Sequence, residues 1–440
     1  MTTAWLNIIN WDVLNDFYHS IPWLNTVNIA TSIILTSCFS YQFFYIILAI
    51  FVKPKKFKDV EQVHRYAITI SARNEENVIG YLIDSIQAND YPQDLLDIYV
   101  VADNCTDTTA ELARKKGAIV YERFDTELLG KGYALNFLLQ NIDKEKGLDY
   151  YDGYFVFDAD NLLDKHYITE MDKCFSEGSR IITSYRNSKN YGSNWISAGY
   201  ALWFIREARY LNNPRFILNT SCAVSGTGFL VHKDIIKRQG GWKHYLLTED
   251  IEFSIDNVIQ GEKVGYCHSA MLYDEQPTSF KQSWRQRLRW SKGFLQVISK
   301  YGMGLIKNIV TCKGFSSFDM LMTIAPAFFI TVTNFFINFG ALIYSLIFDI
   351  KYALAVTIGM VNAGLGAYAL LFVVGIITLI GEWKQIHCSP ARKIGSIFTF
   401  PFFILTYIPI SIQALFTKVE WKPIEHTYSV SMDEMEKENQ

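Results

Sequence analysis

The chain is poor in the residues that staple small secreted folds. Its seven cysteines among 440 residues are Cys38, Cys105, Cys174, Cys222, Cys267, Cys312 and Cys388. They form no CxxC pair and no zinc spacing, which argues against a disulfide framework or a zinc module and leaves free thiols. There is no internal repeat and no low-complexity tract. Charge is also scarce: 19% of residues are charged, against 50% hydrophobic and 15% aromatic. The scarcity is concentrated. Stretches 20–52, 320–348, 352–381 and 394–416 contain no charged residue at all. About 20 helical residues cross a bilayer core of about 30 Å, so each run is long enough to span. The fourth contains Pro401 and Pro409 and reads as a kinked span or a re-entrant segment.

Missing charge of one sign sets the orientation. No basic residue precedes the first run, where Asp12 and Asp16 lie. A signal peptide would begin with positive charge. Trp5, Trp11 and Phe17 suit the outer membrane interface. Lys53, Lys55, Lys56 and Lys58 crowd the other end, which the positive-inside rule assigns to the cytoplasm. Lys384, Arg392 and Lys393, between the third and fourth runs, agree. Acid is absent between Glu275 and Asp319. That interval holds Lys281, Arg285, Arg287, Arg289, Lys292, Lys300, Lys307 and Lys313, flanked by Trp284, Trp290, Phe294, Leu295, Val297 and Ile298. It predicts an amphipathic helix on an anionic cytoplasmic leaflet. No nucleic-acid partner is expected.

The expected organisation is an outer segment and one span (1–52), a cytoplasmic domain (53–276), basic amphipathic interface helices (277–316), about three membrane helices (317–416) and a polar tail (417–440). The acidic end of that tail, 434–440, reads as disordered. In the cytoplasmic block strands at 65–71, 96–102, 118–122 and 154–158 alternate with helices at 75–87, 108–116 and 132–141. That rhythm predicts an α/β domain with a mostly parallel sheet covered by helices. Ligands of such sheets bind beyond the carboxyl ends of the strands, which here carry Arg73-Asn74-Glu75, Asp103-Asn104 and Asp158-Ala159-Asp160.

Each polar cluster has a chemistry and a plain alternative. Asp158 and Asp160 are natural ligands of a divalent ion bridging a diphosphate, or a solvated pair at a strand end. Asp103 can accept a proton from a base or ribose, while Asp107 suits a helix cap. Gly130-Lys131-Gly132 lets backbone approach a ligand and brings a lysine to phosphate, without the glycine spacing of a Walker loop. Ser225-Gly226-Thr227-Gly228 lines an acceptor pocket or makes a turn. Thr248-Glu249-Asp250 opens a helix and offers a carboxylate as general base. Gln286-Arg287-Leu288-Arg289-Trp290 joins an amide, two phosphate-gripping guanidiniums and an indole that can stack on a sugar.

In this order the six motifs resemble the membrane-embedded family-2 glycosyltransferases, among them cellulose, chitin, hyaluronan and poly-N-acetylglucosamine synthases. The resemblance implies a GT-A fold, a UDP-sugar donor and a Mg2+ or Mn2+ ion. It implies that Arg73, Glu75 and Asp103 hold the uridine and that Lys131 lies near the donor. Asp158 and Asp160 would bind the diphosphate and its metal. Gln286 and Arg289 would hold the diphosphate, and Trp290 would stack on the acceptor. Asp250 would be the base of an inverting displacement. The expected product is a growing β-linked polysaccharide, with export through the membrane and an accessory subunit as corollaries. The alternative is one sugar added to a lipid or lipid-linked acceptor. The sequence departs from the family pattern at Ala102, which replaces the first of two acids on the second strand, and it has one N-terminal span where several synthases have more.

Overall fold

The computed structural model describes residues 21–311, 314–348, 350–420, 426, 428 and 430–437. The expectations for 1–20, for Lys313 and for 438–440 lie outside them.

The first apolar run forms helix α1 (Pro22–Phe51), with proline in its first turn, where a missing N–H costs nothing. Then comes the alternation read from the sequence: β1 (Tyr66–Ala72), α2 (Ile79–Gln87), β2 (Leu96–Asp103), α3 (Thr109–Lys115), β3 (Ile119–Arg123), α4 (Lys131–Lys146) and β4 (Gly153–Asp158). β1 is buried at six of seven positions, the apolar run of a strand covered on both faces. The second half adds β5 (Leu162–Leu163), α5 (Tyr167–Ser176), β6 (Ile181–Ser188), α6 (Trp195–Glu207), α7 (Asn213–Ile217), β7 (Phe229–His232), α8 (Lys233–Gln239), α9 (Glu249–Ile259) and β8 (Val264–Asp274).

The eight strands form one sheet in the order β3-β2-β1-β4-β7-β6-β8-β5. β1, β2, β3 and β4 run parallel. β7 turns antiparallel to both β4 and β6. The sheet is therefore mixed, and parallel only in its N-terminal half and between β6 and β8. The short β7, four residues long, carries too little pattern to betray its direction.

The basic, acid-free interval is a single helix, α10 (Phe280–Val310). The second apolar run breaks into α11 (Phe315–Ile324) and α12 (Pro326–Phe348) at a proline, which disfavours helix in the residue before it. α13 (Ile350–Gly381) follows. The fourth run also splits, into α14 (Pro390–Leu405) and α15 (Tyr407–Phe416). Among the described residues four helical segments are long and apolar enough to cross a membrane.

The tail departs from expectation. Residues 432–437 form helix α16 (Met432–Lys437). Met435 is buried against Leu162 and Tyr273. Acidic composition hid a two-methionine apolar face.

Candidate active site

The strand ends are stitched together before any ligand is considered. Asn74 and Asn104 both take the left-handed conformation, at φ 58° and 52°, which asparagine tolerates better than most residues. Asn74 Oδ1 accepts the Thr106 N–H at 2.8 Å. Thr109 Oγ1 accepts the Glu75 N–H at 2.8 Å. Asp107 accepts from both Thr109 N–H and Thr109 Oγ1 at the start of α3, although the N-cap position itself is Thr108. These bonds hold Arg73, Glu75 and Asp103 along one wall. Arg123 donates to Asp103 at 2.6 Å; burial still pushes the Asp103 carboxyl up.

The Gly130-Lys131-Gly132 turn works differently from its sequence reading. Gly130 has φ 125°, a conformation favouring glycine. Gly132 faces protein, not ligand: a Cβ there would lie 2.1 Å from the His244 carbonyl oxygen. The close approach sets the start of α4 and aims Lys131. Its Nζ reaches Asp158 Oδ1 at 2.5 Å and the Gly226 carbonyl at 2.8 Å.

Asp158 is fixed from behind. Its N–H donates to Thr227 Oγ1 at 2.8 Å, and Thr227 bonds Asn161 Oδ1 at 2.5 Å. Thr227 is thus buried behind the aspartate and does not line the cavity, whereas Ser225 and Gly226 do. The acceptor reading of the loop reaches only those two. Asp160 accepts the Glu275 N–H at 2.9 Å. Burial opposes its ionisation, but His426, Lys189 and that N–H outweigh it and hold the carboxyl below the ordinary range.

Several groups here carried no sequence signal. His426, from the tail, puts Nδ1 2.8 Å from Glu75 Oε2 and Nε2 3.9 Å from Asp160 Oδ2. Burial works against its proton; the two carboxylates win and push it up to about 10. Glu75 itself is raised by burial. Arg186 donates through Nε to Asp274 at 2.7 Å and through Nη1 to the Ser225 carbonyl at 2.7 Å. These residues come from long-range strand pairing and chain return, which no local pattern encodes.

Glu249 and Asp250 begin α9 beside this wall. Burial raises both carboxyls. Helix α10 faces them and divides the Gln286–Trp290 motif. Gln286, Arg289 and Trp290 line the cavity. Arg287 turns away. It is fully buried and donates to the Phe403 carbonyl at 2.9 Å and to Thr406 Oγ1 at 2.6 Å, filling the gap between α14 and α15. Only one of the two guanidiniums, that of Arg289, therefore faces the cavity. Two lysines of the basic interval also have internal partners: Lys292 on the Ala414 carbonyl and Lys300 on Glu252.

All these walls enclose one cavity of about 610 Å³, which Arg73, Glu75, Asp103, Lys131, Asp158, Asp160, Ser225, Gly226, Asp250, Gln286, Arg289 and Trp290 line together. Among the described residues no three His, Cys, Asp or Glu side chains form a ready-made metal cage. A hard cation that takes one or two carboxylates plus substrate phosphates needs none. Asp158 and Asp160, both at the cavity wall, fit that demand.

Residues 64–293, just over half of the chain, match the family described as glycosyltransferase like family 2. The chain belongs to that family. Among its relatives is a probable glycosyltransferase, YdaM, of Bacillus subtilis (strain 168), 24% identical over 70% of this chain and 71% of that protein. A poly-beta-1,6-N-acetyl-D-glucosamine synthase of Staphylococcus epidermidis is 23% identical over 71% of this chain and 77% of its own length. A beta-monoglucosyldiacylglycerol synthase of Synechocystis sp. is 26% identical over 52% of this chain, but the match spans only 47% of that protein. Family-2 relatives thus include enzymes named for a polysaccharide and for a lipid. A mannosyltransferase from Pyrobaculum calidifontis, solved with GDP-Man and Mn2+, superposes with a TM-score of 0.52 at 14% identity, covering 89% of this chain and 99% of that one. At that identity the likeness is of fold: a GT-A-like domain followed by long apolar helices.

Proposed function

We propose that this family-2 enzyme is an inverting glycosyltransferase that moves a sugar from a UDP-sugar to an acceptor hydroxyl beside Asp250. One observation carries the reading. Lys131, Asp158, Asp160, Asp250, Gln286, Arg289 and Trp290, from four separate stretches of chain, line one cavity. Arg73, Glu75 and Asp103 form the uridine end. Lys131, Gln286 and Arg289 meet the diphosphate and stabilise the charge that grows as it leaves. A bound Mg2+ or Mn2+, held by Asp158 and Asp160, would neutralise diphosphate charge. Asp250 takes the acceptor proton; burial raises its carboxyl, and a base with a raised pKa is the stronger one. The acceptor oxygen bonds to the anomeric carbon as the carbon–phosphate-oxygen bond breaks, so one displacement inverts the configuration.

The enzyme would be multi-pass in the cell membrane, with the catalytic domain on the cytoplasmic side, a reading that the lysines after the first span support. The Gln-x-x-Arg-Trp spacing favours a β-linked polysaccharide, extended processively and served by an export subunit. The cavity lining favours the single-addition alternative. Purified protein in nanodiscs, given a panel of UDP-sugars with Mg2+ or Mn2+ and GDP-mannose as the contrasting donor, should release UDP. Asp250→Asn should cut that release by a factor of ~10²–10⁴ while UDP still binds. No UDP release from any donor, or near-normal turnover by Asp250→Asn, would overturn the reading.

A further inference from the structure

The cavity has two unlike ends. The donor end is crowded with charge. The other end passes between the membrane-length helices and is walled by Ile324, Phe328, Val332, Ala367, Ile404 and Ile408. Thr331 and Ser411 add hydroxyls there, and Thr323 is already engaged with Asp319 and Arg215. Glu207 also lines the cavity and accepts from Ser225 Oγ at 3.3 Å. Trp203, Phe204, Trp290 and Tyr407 form the wall between the two ends.

That lining discriminates between acceptors. A sugar chain buries several hydroxyls per unit, and each left without a partner costs about 1–3 kcal/mol. Hydrocarbon makes no such demand and gains from burial. The acceptor atom must also approach Glu249 and Asp250, two half-buried carboxyls at the cavity wall. A neutral hydroxyl can enter beside them; an anionic phosphate acceptor would meet the like charge of these two carboxylates.

Resting on the proposed transferase reading, we propose that the apolar end holds the hydrocarbon of a neutral, hydroxyl-bearing membrane lipid, and that the product is a lipid glycoside carrying one sugar. The lipid O–H loses its proton to Asp250. The lipid oxygen bonds to the anomeric carbon, and the bond from that carbon to the diphosphate breaks, releasing UDP.

The test uses the full chain in nanodiscs with the UDP-sugar that supports UDP release, adding in separate arms diacylglycerol, a polyprenyl phosphate or no acceptor lipid. The expected result is a product that extracts into organic solvent, carries one sugar, and forms at least tenfold faster with diacylglycerol than in the other arms. Ala367→Trp, which fills the apolar end, should lower that product at least tenfold while UDP affinity, measured on the same preparation, stays unchanged. A water-soluble polymer made equally well without diacylglycerol would overturn the lipid acceptor and leave the transferase reading standing, as would transfer to the polyprenyl phosphate alone. Absence of UDP release in every arm would overturn both. An Ala367→Trp protein that binds UDP and still makes glycolipid at the wild-type rate would remove the apolar end from the acceptor site.

Discussion

Gly293 sets α10 against Thr248, two residues before the proposed base, and enlarging it has a calculable consequence. An added Cβ would lie 2.5 Å from Thr248 Cγ2, 2.6 Å from Thr248 Oγ1 and 3.0 Å from Thr248 Cβ. Carbons prefer about 3.5–4.0 Å, so the methyl intrudes by roughly 1 Å. Overpacking of this kind costs about 1–3 kcal/mol, and alanine returns up to about 1 kcal/mol over glycine inside a helix. Gly293→Ala should therefore destabilise by about 0–3 kcal/mol. The strain falls on the residue two positions before Asp250. A barrier raised by about 1.4 kcal/mol is a tenfold loss of turnover, so kcat for UDP release should fall about tenfold with a smaller change in UDP affinity. Thr248→Ala provides the control. Thr248 Oγ1 is buried without a hydrogen-bond partner, so its removal loses no bond, and only the 3.0 Å contact remains. The double variant should recover at least ~1 kcal/mol of the coupling expected between touching residues, and most of the turnover. Full activity in Gly293→Ala alone, or no rescue by Thr248→Ala, would refute the packing argument.

Asp250 is raised by burial, so it works as a base only above that raised value. The acid limb of the kcat profile should lie above the ordinary carboxylate value of ~3.9, and a limb at or below it would contradict the assignment. Stability runs the other way. A carboxyl raised on folding binds its proton more tightly in the native state, so its ionisation costs stability as pH rises; Asp250→Asn should melt higher than wild type at neutral pH while turning over less. Asp160→Asn keeps an oxygen for the Glu275 N–H but loses charge, so Mn2+ should no longer strengthen UDP binding in a calorimetric titration; unchanged metal dependence would remove Asp160 from the metal site. Arg287→Lys should lower the thermal midpoint and leave UDP affinity intact, because Arg287 faces Phe403 and Thr406. Arg289→Lys should do the reverse, and equal effects on UDP affinity would contradict the division of the motif.

The N-terminal half of the domain was legible because parallel βα units announce themselves locally. Buried strands are continuous apolar runs, and their polar ends fall where a ligand binds. The second half was not. β7 spans four residues and β6 pairs with two distant strands, so its register is set by chain return. Site residues that sit in a motif could be singled out in advance, and Lys131, Asp158 and Asp160 line the cavity. His426 could not. Its partners Glu75 and Asp160 are 351 and 266 positions away in sequence, and nothing in an acidic tail marks one histidine as the group that returns.

Helix α10 explains why the motif has its spacing. Residues 286, 289, 290 and 293 recur at three- and four-residue intervals and so share one helical face. That face gives Gln286, Arg289 and Trp290 to the cavity and sets bare Gly293 against Thr248. Residue 287 is one step, about 100°, around the helix, which carries Arg287 to the break between α14 and α15. Pro409 lacks an N–H, so it offers no intrahelical donor to the Leu405 carbonyl at the end of α14. Arg287 Nη1 donates across the break to the Phe403 carbonyl and to Thr406 Oγ1. One helix thus lines the cavity, packs against Thr248 two residues before the proposed base, and ties α14 to α15. A shift of α10 along its axis would have to move all three together. Binding of a long acceptor chain against Ile404 and Ile408 is therefore expected to change UDP affinity by the same factor that UDP changes acceptor affinity, as linkage requires.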